Sequence, residues 1–426
     1  MAMRNKLIRI CRNLRKDLNG NVLIIAAIGA ASTVGAAGIG VDTVEWYLSK
    51  RQLQQAADSG ALAGAMNLFR GQDITSAATG EVDRNYVDGF NIVRIVNPPQ
   101  EGDWTGDGGA VEVVVSASRA LPFSGIFLEN APTIQVRSVA ATVAVGEPCV
   151  IATATDGIGI DVFGSAIADL DCPVASNSPD GVSVDLGGSS FLDTDLIMSV
   201  GGVDYGSSNI AADTAVVSYG LPVEDPLASR GLTPPSSPSG CTANNFNVSP
   251  SQTVTISPGR YCNGMDIKGT VTMNPGVYII DRGAFKINSQ ADVVGHGVTI
   301  ILTGNSSSNV AELQINAGAD LDLRAQTLAE ATTTGDDNWA GILFYQDELG
   351  DGTQHTINGG ADINMEGIIY MPTADLTYNG NASQTAQCLL LITERVRFGG
   401  TNRIANNCND EIDDIDTSAR IIRVVE

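Results

Sequence analysis

Histidine is nearly missing from this chain of 426 residues, which holds two, His296 and His355. Neither has a second histidine or a cysteine at ligand spacing, which argues against a histidine-based metal centre. Both stand beside turn glycine or threonine, and a surface or turn role is expected for each. No C-x-x-C occurs, which argues against zinc ribbons and thiol-redox chemistry. No G-x-x-x-x-G-K-[ST] and no G-x-S-x-G occur, so neither a phosphate-binding loop nor an esterase elbow is present. The string Asp416-Thr-Ser418-Ala-Arg420 lacks the second serine of a D-x-S-x-S metal motif. Aromatic residues make up only 5% of the chain. That limits any stacking face to Trp339, Tyr345, Tyr370 and Tyr378.

Positive charge is scarce beyond the first twenty residues. Residues 1–20 carry six bases and one acid, which leaves 18 bases against 47 acids in the rest. Such a surface repels nucleic acid and anionic lipid, so no nucleic-acid partner is expected.

What is present begins at Gly20. From Asn21 to Val41 there is no charge, and roughly 20 such residues suffice for a helix to cross a bilayer. Ten of these 21 residues are alanine or glycine. Small residues four apart, Ala31/Gly35 and Ala36/Gly40, offer a seam for close packing with another membrane helix. Basic residues precede the span and acids follow it, so residues 1–20 are expected in the cytoplasm and 42–426 outside it. Trp46 and Tyr47 stand where an interfacial aromatic pair would. A cleaved signal sequence is the rival reading, but the basic lead is long and no clean A-x-A site follows. Helical periodicity then runs on to Phe69, with Leu48, Leu53, Ala57, Ala61 and Ala65 near one face.

The order of residues here resembles a known family. Gly20-Asn21-Val22, Ile24-Ile25-Ala26, Gly40-Val41-Asp42, Trp46-Tyr47, Arg51, Leu53-Gln54, Ala56-Ala57-Asp58 and Ala61 to Ala65 are similar to the N-terminus of TadE/TadG-like proteins of the Tad (Flp, tight-adherence) pilus machinery. The likeness covers about 50 residues. It implies a non-enzymatic, single-pass protein of the bacterial inner membrane that meets other pilus components through its N-terminal helix, with a periplasmic C-terminal part. Export with the pilus, as a minor pilin or tip adhesin that binds cell-surface glycan, is the alternative. Prepilins of that system carry Glu five residues after the cleavage glycine. Here that position is Ile25, which favours a permanent anchor over cleavage after Gly20.

Downstream, Ile74–Val87 reads as a short helix, and Phe90–Val96, Ala110–Ala117 and Thr133–Val145 read as strands. Residues 42–147 are thus expected to form a pilin-like domain, a long helix feeding a small antiparallel sheet. Residues 148–426 differ in texture, with short β runs between Gly, Asn, Asp and Ser turns. Three segments share I-N-x-x-A-D-aliphatic, beginning at Ile287, Ile315 and Ile357. Stacking of such units suggests a right-handed parallel β-helix, with a β-sandwich as the other possibility. Residues 221–240, with five prolines, are expected to form a surface loop or linker, or to wrap the side of the solenoid. Ala419–Val425 is expected to cap it.

Such solenoids can host polysaccharide-cleaving carboxylates, so a glycan-active enzyme is a further alternative. Asp292, Asp320 and Asp362 recur at one point of the repeat, which suits turn geometry better than catalysis. Two D-x-x-G-D-G strings place Asp103, Asp107, Asp347 and Asp351 as the only candidate calcium ligands, without a full calcium loop. No other cofactor is expected. Cys11 falls on the cytoplasmic side. The other six cysteines, taken as sequence neighbours, suggest Cys149–Cys172, Cys241–Cys262 and Cys388–Cys408.

Overall fold

The computed structural model describes residues 21–86, 89–126, 129–359, 362–380, 388–404 and 415–426. The chain forms two compact units, one of residues up to Val143 together with Ile422–Glu426, the other Ala144–Ile421. The smaller unit therefore takes back the C-terminal residues, which the sequence assigned to the β-solenoid.

In the smaller unit, helix α1 (Asn21–Phe69) runs unbroken for 49 residues. Its length is about 73 Å at 1.5 Å per residue, more than twice a bilayer core. Its two halves differ in what covers them. Val22, Ile28, Val34 and Ile39 are all exposed, whereas Leu53, Ala57, Ala61 and Ala65 are fully buried. Leu48 is exposed and does not continue that buried face. Glycine allows the close approach there. A Cβ at Gly60 would stand 2.8 Å from Val82 Cγ2, and one at Gly64 would stand 2.9 Å from Val111 Cγ1. Gly71 ends the turn after α1 with a left-handed φ of 64°. Helix α2 (Ile74–Asn85) follows, its first turn capped by Asp73, which accepts from the Thr75 and Ser76 amides. Such a cap contributes about 1 kcal/mol.

Strands β1 (Asn91–Val96), β2 (Ala110–Ser118) and β3 (Thr133–Gly146) pair antiparallel in that order. Val111, Val113, Val115 and Ala117 alternate along β2 and join the cluster around Leu53, Ala57 and Ala61. The last strand, Ala419–Val424, lies beside β3. Its end is fixed where the Val425 amide donates to the Val139 carbonyl and the Val139 amide donates to the Glu426 carbonyl. This strand completes the small sheet, because β3 presents an open edge to it.

Among its described residues, the larger unit is all-β apart from one short α-helix and a few 3₁₀ turns, and its strands pair in parallel. Each I-N-x-x-A-D segment stacks on the next. Ile287 pairs with Ile315 and Ile315 with Ile357, while Val293, Leu321 and Ile363 align one turn further on. The aliphatic residues fill the interior. The asparagines hold the turns, with Asn288 Nδ2 donating to the Ile267 carbonyl and Asn358 Nδ2 to the Ile315 carbonyl.

Stacking order differs from chain order. Strand Cys388–Ile404 pairs with Asp362–Gly380 on one side and with Val150–Ala152 on the other. From Val150–Ala152 the pairing runs on through Val174–Ser176 and Leu196–Ser199 to Ala215–Val217. The first strands of the unit thus stack on its last. The chain must then travel back along the whole stack from Val217 to Ala243, and the proline-rich segment carries it. Val223 and Asn177 exchange two hydrogen bonds of 2.9 and 2.8 Å. Further on, Tyr370 Oη donates to Asp225 Oδ2 at 2.6 Å and Tyr345 Oη to the Leu232 carbonyl at 3.1 Å. Finally, Arg260 donates to the carbonyls of Pro235 and Pro238, each at 2.8 Å. Val223 and Leu227 bury the outward column Ile279, Ile301, Tyr345, Tyr370, Ile392 and Ile151. Strands covered on both faces need continuous apolar runs, as in Ile300-Ile301-Leu302 and Leu389 to Ile392.

Cys149 is joined to Cys172 and Cys241 to Cys262. Cys388 is buried; its suggested partner, Cys408, lies outside the described residues.

Candidate functional site

The part of the molecule with the most unused chemistry is the middle of α1. Asp42 is 6% exposed. Its two carboxylate oxygens accept the amides of Phe123 and Ser124 at 3.0 and 2.5 Å. The loop between β2 and β3 is thereby clamped to the helix. One turn towards the helix start, the Phe123 ring lies on Gly38, where a Cβ would stand 2.9 Å from the ring. One turn the other way, Arg119 and Glu45 approach to 3.6 Å. Between helix and loop lies a groove of about 530 Å³, lined by Ala31, Val34, Gly35, Gly38, Ile39 and Phe123, with Asp42 and Ser124 at its edge. Of the expected packing seam, Ala31 and Gly35 line this groove. Ala36 and Gly40 are exposed, and no atom outside the helix comes within 4 Å of where a Cβ would stand at Gly35 or Gly40.

A second polar centre braces the small sheet. Glu112 is fully buried on β2 and accepts from Arg94 Nη2 at 2.6 Å, Arg137 Nε at 2.9 Å and the Gln100 amide at 2.8 Å. Arg137 reaches on to Glu426 Oε2 at 2.5 Å. Burial alone would raise the Glu112 carboxyl, but the Gln100 amide and two guanidiniums outweigh it and hold it below the ordinary range. A carboxyl lowered in the folded state stabilises above its unfolded pKa, and that stabilisation is lost as pH falls through the folded value. Glu112→Gln is expected to cost about 2 kcal/mol, since it leaves two largely buried guanidiniums, Arg94 and Arg137, facing a neutral group. Thermal unfolding at neutral pH reads this loss, and an unchanged midpoint contradicts it.

The D-x-x-G-D-G acids take part in turns. Asp107 Oδ1 accepts the Gly109 amide at 2.7 Å, and the Asp103 amide donates to Glu426 Oε1 at 2.6 Å. Asp347 accepts from Thr303 Oγ1 at 2.6 Å and from the Leu349 amide at 3.1 Å. Asp351 is exposed at the close of that turn. Among the described residues, no group of three or more His, Cys, Asp or Glu is placed to hold a metal ion. The repeat acids do align, Asp292 with Asp320 and Asp320 with Asp362, along the backbone register.

Two sequence expectations are corrected. His355 is not at the surface but 1% exposed. Its Nδ1 accepts the Leu313 amide at 2.9 Å and its Nε2 faces Gln346 Oε1. Burial lowers its pKa to about 3, so the ring is neutral. His296 is exposed, 2.9 Å from Asp322. The four aromatics proposed as a glycan face are all buried. Trp339, Tyr345 and Tyr370 lie beneath the proline-rich segment, with the two tyrosine rings stacked at 5.9 Å. Tyr378 fills the interior against Phe398. The aromatics that are exposed lie elsewhere, among them Tyr205 and Tyr219.

Residues 20–67 match the family model described as "Putative Flp pilus-assembly TadE/G-like". No curated protein and no solved structure matches the chain. The matched Tad-like segment coincides with nearly all of α1. It includes Asp42 and Gly38, and it stops before the β unit. Ile24–Phe69 includes a stretch long and apolar enough to cross a membrane.

Sequence reasoning passed over Asp42 as a clamp, Gly38 as a contact and Glu112 as a hub. It also missed two acid columns, Asp161–Asp185–Asp204 and Asp169–Asp193, which Arg397 and Arg403 terminate through Asp161 and Asp169, each at 2.9 Å. Burial, then the neighbouring acids, raise the carboxyls of Asp185 and Asp193. The one signal for the Asp42 clamp was the uncharged string Leu121 to Ile126 between two strands.

Proposed function

We propose that this chain is a membrane-anchored, non-enzymatic component of Tad/Flp pilus assembly. Residues 21–41 span the inner membrane, residues 1–20 are cytoplasmic, and residues 42–426 are periplasmic. The carrying observation is the coincidence of the Tad-like match with a helix whose first half exposes its apolar side chains while its second half is packed into a folded unit. A helix so divided transmits position from the bilayer to what stands above it. The seam at Ala31, Gly35, Ala36 and Gly40 is the surface for a partner helix of the pilus machinery, and open space around Gly35 and Gly40 supports that reading. The β unit is a right-handed parallel β-helix that acts as a rigid spacer or assembly surface. Parallel pairing, the I-N-x-x-A-D ladder and the lengthwise proline-rich strap support this. The reading invokes no cofactor; of the calcium candidates, Asp107 and Asp347 accept hydrogen bonds in their own turns.

The test is genetic. Deletion of the gene should abolish surface pili in electron micrographs, and the intact gene should restore them. A Gly35→Leu/Gly40→Leu variant should be stably present in the membrane yet fail to restore pili. Normal piliation in the deletion strain overturns the proposal.

A further inference from the structure

The β2–β3 loop bears on where the membrane ends. Along the axis of α1 the order is the Phe123 ring at Gly38, the Asp42 clamp, the Glu45–Arg119 pair, then Trp46 and Tyr47. Gly38 lies inside the uncharged run of the helix. Asp42, its first charge, is one turn or about 6 Å further along. The Phe123 ring thus sits at the depth of residues that a bilayer would cover, while its own amide is held at the edge. The ring stays 40% exposed although one side touches Gly38, and Pro122 beside it is exposed too. From Leu121 to Ile126 the loop has no charge.

Irregular backbone enters lipid only when its polar groups are already satisfied. This loop meets that demand at three successive residues. The amides of Phe123 and Ser124 donate to Asp42, and the Gly125 amide donates to the Leu121 carbonyl at 3.0 Å. Asp42 in turn is covered by the loop it holds, so its charge is solvated by two amides and does not face acyl chains. In water the same arrangement leaves an apolar groove open beside an exposed phenylalanine.

We propose that the loop Leu121–Ile126 enters the bilayer leaflet on the side of residues 42–426, and that lipid acyl chains fill the groove between it and α1. The membrane-facing surface is then a wedge of helix plus loop, which fixes both the depth and the rotation of α1. Val34 and Ile39 belong both to the groove and to the exposed apolar surface of the helix, so in the unassembled protein lipid covers both, and a partner helix displaces it from Ala31 and Gly35 on assembly. The charged pair one turn beyond marks where water begins.

This inference rests on the spanning reading of α1, and the experiment separates the two. The full chain is reconstituted into phosphatidylcholine vesicles with or without brominated acyl chains. Phe123→Trp and Val34→Trp variants are each compared with the parent, whose own tryptophans set the baseline. Val34→Trp should be quenched if α1 spans. Phe123→Trp should lose about half its added emission to lipid brominated near the headgroup end, as an aromatic at the interface would. Quenching at 34 without quenching at 123 overturns the loop proposal and leaves the span intact. Quenching at neither overturns both. Adding Asp42→Asn to Phe123→Trp should diminish the quenching at least twofold while circular dichroism is unchanged. Undiminished quenching at 123 in that variant overturns the clamp's part in the proposal.

Discussion

Replacing Ile28 and Val34 together by arginine is expected to move the full chain from the membrane pellet to the soluble fraction after an alkaline carbonate wash. Both side chains are exposed, at 63% and 62%, so neither substitution disturbs packing within the chain. An arginine near the centre of a spanning helix costs about 3 kcal/mol on insertion scales, so two cost about 6. The span has little to set against this, because ten of its 21 residues are alanine or glycine and contribute little apolar area. A strongly apolar anchor would tolerate one charge, whereas this one is near its limit. The Ile28→Ala/Val34→Ala chain, which adds no charge, should stay in the pellet. A double-arginine chain that remains membrane-bound with its folded units intact contradicts the anchoring role of α1.

The second large effect is a loss of stability of the β unit under mild acid, traced to His355. The folded pKa, about 3, lies below the unfolded value near 6.5. Between those values the unfolded chain binds the extra proton, so stability rises with pH. The contribution is fully present above about pH 6.5 and falls by about 1.4 kcal/mol per pH unit as pH drops towards 3. From pH 6.5 to 5 the expected loss is about 2 kcal/mol. Asp185 and Asp193 have raised carboxyl pKa values and act in the opposite sense, but they are present in any His355 variant and cancel in the comparison. His355→Gln keeps an acceptor for the Leu313 amide without a titrating ring. Urea unfolding followed by fluorescence of the buried Trp339 should show a steep pH dependence in the parent and a shallow one in the variant. Parallel curves contradict the buried, neutral histidine.

How much of this was legible in the sequence varies with the range of the interaction. Local signals read true. α2 starts where its periodicity does, at Ile74, and β1, β2 and β3 lie within a residue or two of their β-branched runs. The I-N-x-x-A-D repeat places Ile287, Ile315 and Ile357 in one stack because each repeat carries its own turn. Long-range relations left weaker traces. Nothing near Ala419 announces that its strand joins β3, since an edge is completed by whichever strand the chain can bring to it. Nothing near Cys388 announces that its strand pairs with Val150–Ala152, so the lengthwise course of the proline-rich segment was open between linker and wrap. His355 looked like a turn residue because Thr356 and nearby glycines suggest one. Its burial depends on Gln346, nine residues away, and on Leu313, 42 residues away, neither of which the local string reveals. The aromatics misled for a related reason. A stacking platform and a core stack draw on the same residue types, and only the cover supplied by Val223 and Leu227 distinguishes them.

At the candidate site, the helix was legible, but the contact that organises its middle was not. Phe123 meets Gly38 across 85 residues, and Asp42 read as the first charge after a span, not as an acceptor for a loop. Both roles are compatible, since a carboxylate at the end of an uncharged run is where irregular backbone most needs one.

The most direct test of the central claim is thiol accessibility on either side of the membrane. Spheroplasts carrying the full chain with Ser251→Cys, an exposed position of the β unit, are treated with a membrane-impermeant maleimide. The thiol introduced at position 251 should be labelled at once, and Cys11 only after detergent opens the membrane. Labelling of Cys11 with protection of position 251, or labelling of both without detergent, contradicts that claim.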